Sequence, residues 1–340
     1  MRFRFLSVPA VLLSAATLLS AADASMVDLI MPDAKILIGV DFERARNSPF
    51  GQFALRQLPG AAGDDAGLAK LSELTGFDPR RDLHEMLIAT TDAVVRPGKS
   101  ADPTQNAVVV VRGAFNPARF TELIGQRAQV TSYNGVSVME VPTSVERRGR
   151  AAAGAAPKGA SGEPNWIGFM GNLLVAGPKT AVQKAIDRGR ATRRPEASAM
   201  LARVQSAGAK HDVWFLTTVS PTALAGNLGN ANMQGALQGD LMQGIENVVG
   251  GIKFGANVVL SGEATARSDQ DASALVDVLR FFSSMAQSNG SKSGPMGMLN
   301  ELQMNATGRT VKFSLTAPAV EFEKIFDSGM NRVRPRAALD

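Results

Sequence analysis

The sequence predicts an α+β protein made of two similar halves, each a mainly antiparallel sheet with helices packed on one face. Three observations carry this. The first is a repeated corner in which an apolar stretch turns through proline into a short amphipathic helix. The second is a set of tight-turn signals between alternating stretches, which demand antiparallel neighbours. The third is that the order of these elements recurs along the chain.

The clearest corner is Asn106 to Gly125, NAVVVVRGAFNPARFTELIG. Ala107 to Val111 is short, β-branched and apolar, which suits a strand buried on at least one face. Asn116 can accept a first-turn amide, and Pro117 fits the first helical position, where a missing N–H costs nothing. Phe120, Leu123 and Ile124 then share a helical face. Similar steps stand at Ser48-Pro49, Gly177-Pro178, Ser220-Pro221 and Ala317-Pro318.

In chain order, AKILIGVDF at 34–42 reads as a strand, followed by a helix from Pro49 and another over 67–75. Gly76 suits a helix C-cap, Asp78-Pro79 starts a further helical turn, and a strand covers 86–91. Residues 93–105 read as a loop before the Asn106 strand. The Asn134-Gly135 pair inside 129–141 marks a type I′ hairpin, and a second hairpin turns through Gly171-Asn172. Helices follow Pro178 and cover 198–204. The second round starts at His211 with a strand over 212–219 and a helix opened by Pro221. Residues 226–240 read as a loop and 241–248 as a helix, with strands over 250–258 and 260–267. Ser268-Asp269-Gln270-Asp271 resembles a capping box and leads the strongest amphipathic helix, carrying Ala272, Leu275, Val276, Leu279, Phe282 and Ala286. Strands over 302–307 and 310–316 pair across Gly308. Pro318 opens a last helix whose inward positions are Val320, Phe322, Ile325 and Phe326.

The domain boundaries that follow are a signal peptide over 1–24, a first half over 25–207 with a flexible loop at 144–164, a second half over 208–329, and a basic tail over 330–340. Arg2 and Arg4 precede an apolar run from Phe5 to about Ala22, and Ala22-Asp23-Ala24 offers small residues at a cleavage site. The rival is an uncleaved anchor, because the run is near the roughly 18 residues a membrane span needs. Pro9 and the serines within the run favour cleavage. After cleavage no transmembrane span is expected, and the protein is placed in the periplasm, at the cell surface or outside the cell.

With 340 residues, 45% hydrophobic and 20% charged, the chain has the composition of a globular protein and not of a disordered one. It contains no cysteine, which excludes disulfides, thiolate metal sites, cysteine nucleophiles and a lipid-anchored amino terminus. The net charge of +5 is modest and partly concentrated in Arg147, Arg148, Arg150 and Lys158 and in the tail. The stretch from Arg147 to Lys158 reads as a solvated loop, with contact to an anionic lipid, cell-wall or polysaccharide surface as its functional reading. A single tyrosine and no interleaving of aromatic with basic residues argue against nucleic acid.

No catalytic, cofactor or metal signature stands out. Histidine occurs only as His84 and His211, and His84-Glu85 lacks the second histidine of a zinc protease helix, since position 88 is Ile88. No Gly-x-Ser-x-Gly elbow occurs. Gly226, Gly229 and Gly235 lack the lysine of a phosphate loop. Met233, Met242, Met285, Met296 and Met298 lie on or beside second-half loops, where core filling and adaptable apolar binding are both open. Carboxylate pairs that meet only in space remain open.

Leu71 to Asp92, LSELTGFDPRRDLHEMLIATTD, resembles a family of exported bacterial proteins catalogued as a domain of unknown function. VVVVRGAFNPARFTELI, YNGVSVMEV and NLLVAGPKTAVQKAID follow in the order that family shows. The likeness covers roughly 34–190 and, more loosely, 211–327. It implies a periplasmic or surface-exposed duplicated α+β protein, and it brings no catalytic residue. The sequence expectation is therefore a non-catalytic, exported binding or scaffold module of the envelope, without a cofactor, for an apolar ligand or for a lipid, polysaccharide or protein partner. A hydrolase of envelope polymers using paired carboxylates is the alternative.

Overall fold

A computed structural model describes residues 24–56, 65–91, 107–125, 129–141, 164–191, 195–219, 244–288 and 301–324. The signal segment before residue 24, the Ser220-Pro221 corner, the 93–105 and 226–240 loops, the basic stretch and the tail lie outside them.

In chain order, α1 (Ala24–Val27) leads to β1 (Ile36–Asp41), α2 (Phe42–Arg46), α3 (Pro49–Arg56), α4 (Asp65–Thr75) and α5 (Pro79–Asp82). Next come β2 (Leu83–Thr90), β3 (Ala107–Gly113), α6 (Pro117–Gly125), β4 (Gln129–Tyr133), β5 (Val136–Val141), β6 (Asn165–Met170) and β7 (Leu173–Pro178). Helices α7 (Lys179–Arg190) and α8 (Pro195–Lys210) precede β8 (Val213–Thr217), β9 (Ile245–Lys253) and β10 (Asn257–Ala266). The chain continues through α9 (Asp269–Ser288), β11 (Gln303–Thr307) and β12 (Thr310–Pro318) into a helix over 319–324.

All twelve strands join one antiparallel sheet in the order β11-β12-β10-β9-β8-β1-β2-β3-β7-β6-β5-β4. The expected pair of sheets is thus one sheet, closed through the β1–β8 ladder. Nor do the helices keep to one face. Val248 and Val249 are adjacent on β9, so they point to opposite sides. Val249 packs with Leu37, Leu87, Val108, Val110 and Val175 under α1, α7 and α8. Val248 packs with Ala264 and Val311 under α9. On that second side α3 also packs Phe50 against Ile252 and Val258, and Phe120 of α6 reaches Phe169. Both faces are apolar along most strands, so each needs a cover.

Local chemistry explains the element ends. Asp41, Asp78 and Ser268 cap helices by accepting the N–H groups of Arg44, Arg80 and Asp271, at 2.9, 2.9 and 3.0 Å. Asn116 accepts the Arg119 N–H at 3.3 Å. Asn134 and Gly135, at φ 46° and 69°, form the expected hairpin turn. In the Thr75–Asp82 corner, Gly76 sits at φ 73°. The Asp82 carboxylate accepts the Asp78 N–H at 2.8 Å and is gripped by Arg81, which holds its pKa below the usual carboxylate range.

Several expectations change. Residues 245–253 are a strand, where a helix was expected over 241–248. The β-branched Ile245, Val248 and Val249 pair with β8 and β10, and that pairing overrides the helical spacing. Pro49 opens a helix that follows another helix, α2, not a strand. Pro178 and Pro318 are last strand residues, one step before their helices. Helix α8 is longer than the expected 198–204. In the last helix Phe322 packs on Phe50 as expected, whereas Val320 is 58% exposed and Ala319 is buried in its place; Ile325 and Phe326 lie outside the described residues.

The β1–β8 seam has no spare room. Gly39 and Trp214 are ladder partners, and a Cβ on Gly39 would fall inside the Trp214 indole. Gly39→Ala is therefore expected to destabilise the protein by about 1–3 kcal/mol, read as a lower denaturant midpoint; an unchanged midpoint would contradict the packing. Asp78→Ala should cost about 1 kcal/mol through loss of its cap, checked by the same denaturant titration.

Candidate functional site

A concavity lies where α8 stops covering the sheet. Helix α8 packs on β8 and β9, and beyond it the same face of β10 and β12 carries polar side chains. The register sets Ser261 opposite Ser314 and Glu263 opposite Lys312. Alternate residues share a face, so these four side chains form one polar patch. With Ala202, Arg203, Ser206, Ala207 and Lys210 of α8 as a wall, and His211 and Val249 at the base, they enclose about 590 Å³.

His211 anchors the base. Helix α8 ends at Lys210, and the next residue turns its ring under the helix. Its Nδ1 lies 3.1 Å from the Ala207 carbonyl and its Nε2 lies 2.9 Å from Ser261 Oγ. A carbonyl only accepts, so Nδ1 carries the proton in the neutral ring and Nε2 is left as an acceptor. The Ser261 hydroxyl then donates to Nε2. Gly251 makes this position available, since a Cβ there would stand 2.7 Å from His211 Cβ and Cγ. Burial lowers the His211 pKa below its ordinary value, assisted by Lys210 and Lys253 and opposed by the Ala207 carbonyl and Asp212. The ring is therefore neutral at pH 7.

The charges around the cleft do not cancel. Lys210 pairs with Glu263 at 3.6 Å. Arg203 and Lys312 form no ion pair among the described residues, and together with Lys210 they outnumber Glu263, the one carboxylate that lines the cleft, and leave it net positive.

The structure also places the residues that the sequence singled out. His84 pairs its Nδ1 with Glu43 Oε1 at the partly exposed end of β2, away from the cleft. Arg147, Arg148, Arg150 and Lys158 lie outside the described residues, as do Gly226, Gly229, Gly235, Met233, Met242, Met296 and Met298. No group of three metal-ligating side chains occurs among the described residues, and no described helix is long and apolar enough to cross a membrane. Among the described residues, the buried carboxylates that stand near one another are Asp41 opposite Glu85 and Asp41 with Asp212, which Arg44 bridges. Arg44 holds Asp41 at 2.6 Å and Arg112 holds Glu85 at 3.3 Å. The space beside them is about 10 Å³, too small for more than a water. Both pairs belong to an ion network rather than forming an acid and base that face a substrate.

No family model matches the chain, and no curated protein matches it. Two solved structures are similar in outline, both of TP0453. Crystal form I has a TM-score of 0.44 and 9% identity over 90% of this chain and 98% of that one. Crystal form IV has a TM-score of 0.46 and 8% identity over 88% and 95%. Likeness at this level carries no argument about what the cleft binds.

Sequence reading missed His211, Ser261, Arg203 and Lys312 as a group. The only signal was alternation: Ser261, Glu263 and Thr265 on one strand, and Lys312, Ser314 and Thr316 on another, set a polar face on strands whose other face is apolar. Nothing local says that α8 ends beside that face.

The depressed His211 pKa has a definite sign. The folded state favours the neutral ring, so its contribution is complete above the unfolded value of about 6.5 and is lost as pH falls below it. The thermal midpoint should fall between about pH 7.5 and pH 5.5, and fall less in His211→Gln, which cannot titrate. Equal slopes in the two proteins would contradict the assignment.

Proposed function

We propose that the protein is an exported component of the envelope that works as a non-catalytic binding module, with the cleft beside α8 as its site. The observation that carries this reading is a concavity of about 590 Å³ whose base is a fixed hydrogen-bonded pair and whose rim keeps uncompensated cations. A concave, largely preformed site with a few convergent polar groups is what small-molecule binding requires. Export rests on the basic, apolar and small-residue sequence of the first 24 residues. The hydrolase alternative has weaker support, because the buried acids are held by arginines in space too small for a substrate.

The two halves are proposed to be similar in architecture. Outward from the β1–β8 seam, one side runs β1-β2-β3-β7-β6 before adding β5 and β4, and the other runs β8-β9-β10-β12-β11. Each thus has three strands followed by a hairpin whose later strand lies inside. The basic stretch at Arg147 to Lys158 keeps its reading as a contact for an anionic surface, apart from the cleft.

Native mass spectrometry of protein purified from its own envelope tests the binding role. A small molecule should travel with the wild-type protein and be absent from Ala202→Trp, whose indole fills the cleft. A folded wild-type protein that carries nothing, and gains no thermal stability from envelope extracts, would overturn the reading.

A further inference from the structure

We propose that the cleft takes a hydroxylated organic anion, a small molecule that carries a carboxylate or phosphate at one end and hydroxyl groups at the other. This rests on the binding role proposed above and adds the chemistry of the ligand.

The lining groups of the cleft divide into those still free to donate and those still free to accept. Ser261 has one hydroxyl proton, and the geometry commits it to His211 Nε2 at 2.9 Å. The His211 proton is committed in turn to the Ala207 carbonyl. What Ser261 still offers the cleft is therefore lone pairs, and Glu263, on the same face of β10, offers more. The base accepts. The rim does the reverse, because arginine and lysine only donate, and Arg203 and Lys312 form no ion pair among the described residues. A ligand that satisfies both ends must donate at the base and bear negative charge at the rim.

Simpler ligand classes fit less well. A plain fatty acid would meet the rim but cover the remaining acceptor lone pairs of Ser261 and Glu263 with a chain that cannot donate to them, at the desolvation cost of an unmade hydrogen bond. A neutral sugar would meet the base and leave the cations unused. A polyhydroxy carboxylate or a polyol phosphate meets both. The two anion types share the chemistry that the cleft reads, so both are included in the test.

The test is a titration of the full mature protein, followed by amide NMR shifts of Ser261 and His211 and by calorimetry. The probes are glucuronate, glycerol phosphate, glucose, cyclohexanecarboxylate and dodecanoate. Glucuronate or glycerol phosphate, or both, should shift the cleft residues; whichever binds tells carboxylate from phosphate. Cyclohexanecarboxylate and glucose should bind at least about 10-fold more weakly, for want of hydroxyls or of charge. Lys312→Ala and Arg203→Ala should each weaken the hydroxylated anion by about 10-fold. Ser261→Ala should erase its advantage over cyclohexanecarboxylate while the protein stays folded. Equal binding of cyclohexanecarboxylate and glucuronate would overturn the inference. So would occupation by dodecanoate alone, which would leave the binding role intact. If no probe moves the cleft residues, the inference fails, and the binding role is then decided by the mass spectrometry described above.

Discussion

The ladder between β1 and β8 is the contact on which the rest of the structure depends. It turns two sets of strands into one sheet, and it is specified by packing and charge together. Trp214 lies across Gly39, a fit that only glycine permits at that position. One residue further along β1, past Val40, Asp41 donates its N–H to the Asp212 carbonyl at 2.8 Å. Arg44 then reaches both carboxylates, Asp41 at 2.6 Å and Asp212 at 3.3 Å, and donates to the Gly208 carbonyl at 2.7 Å. Buried ion networks are weak sources of net stability, but removing one member leaves a buried charge exposed to its own desolvation cost. Their use here is registry. A slip of one residue along β1 would turn Leu37 and Asp41 to the wrong face and separate the charges.

The same contact sets the position of the cleft. Arg44 holds the end of α8 through Gly208, and Asp212 accepts the Phe254 N–H at 2.6 Å, which ties the start of β8 to the end of β9. His211 sits between those two tethers. Its ring can go only where Gly251 leaves space, and there it meets Ser261. The hydrogen-bonded pair is thus a consequence of how α8 is joined to the seam. No described helix lies beyond α8 on that face of the sheet, and there the strands present polar side chains to the cleft.

Much of the local architecture was legible in the sequence, and the physical reason is that caps and tight turns are local. Asn134-Gly135, Gly76, Asp78 and Ser268 act within four residues, so their chemistry can be read in place. Helix α2 was legible too, in Asp41 followed by Glu43, but the apolar run before it drew attention to the strand. What was not legible depends on register. The first part of the Ile245–Lys253 strand reads as helix because its apolar residues also fit helical spacing, and only its pairing with β8 and β10 decides between the two. The use of both faces was hidden for the same reason, since half-buried residues such as Val248 look the same in sequence whether or not a helix lies above them. The site is the extreme case: His211 and Ser261 are 50 residues apart and meet through pairings that no motif encodes.

The seam fixes His211 as a neutral acceptor toward Ser261 and so leaves the Ser261 lone pairs to the cleft. Nitrogen-detected NMR of the His211 imidazole measures this directly. The expected result at neutral pH is a ring protonated on Nδ1, with an unprotonated Nε2 whose resonance moves in Ser261→Ala. A ring protonated on Nε2, or an imidazolium, would contradict it.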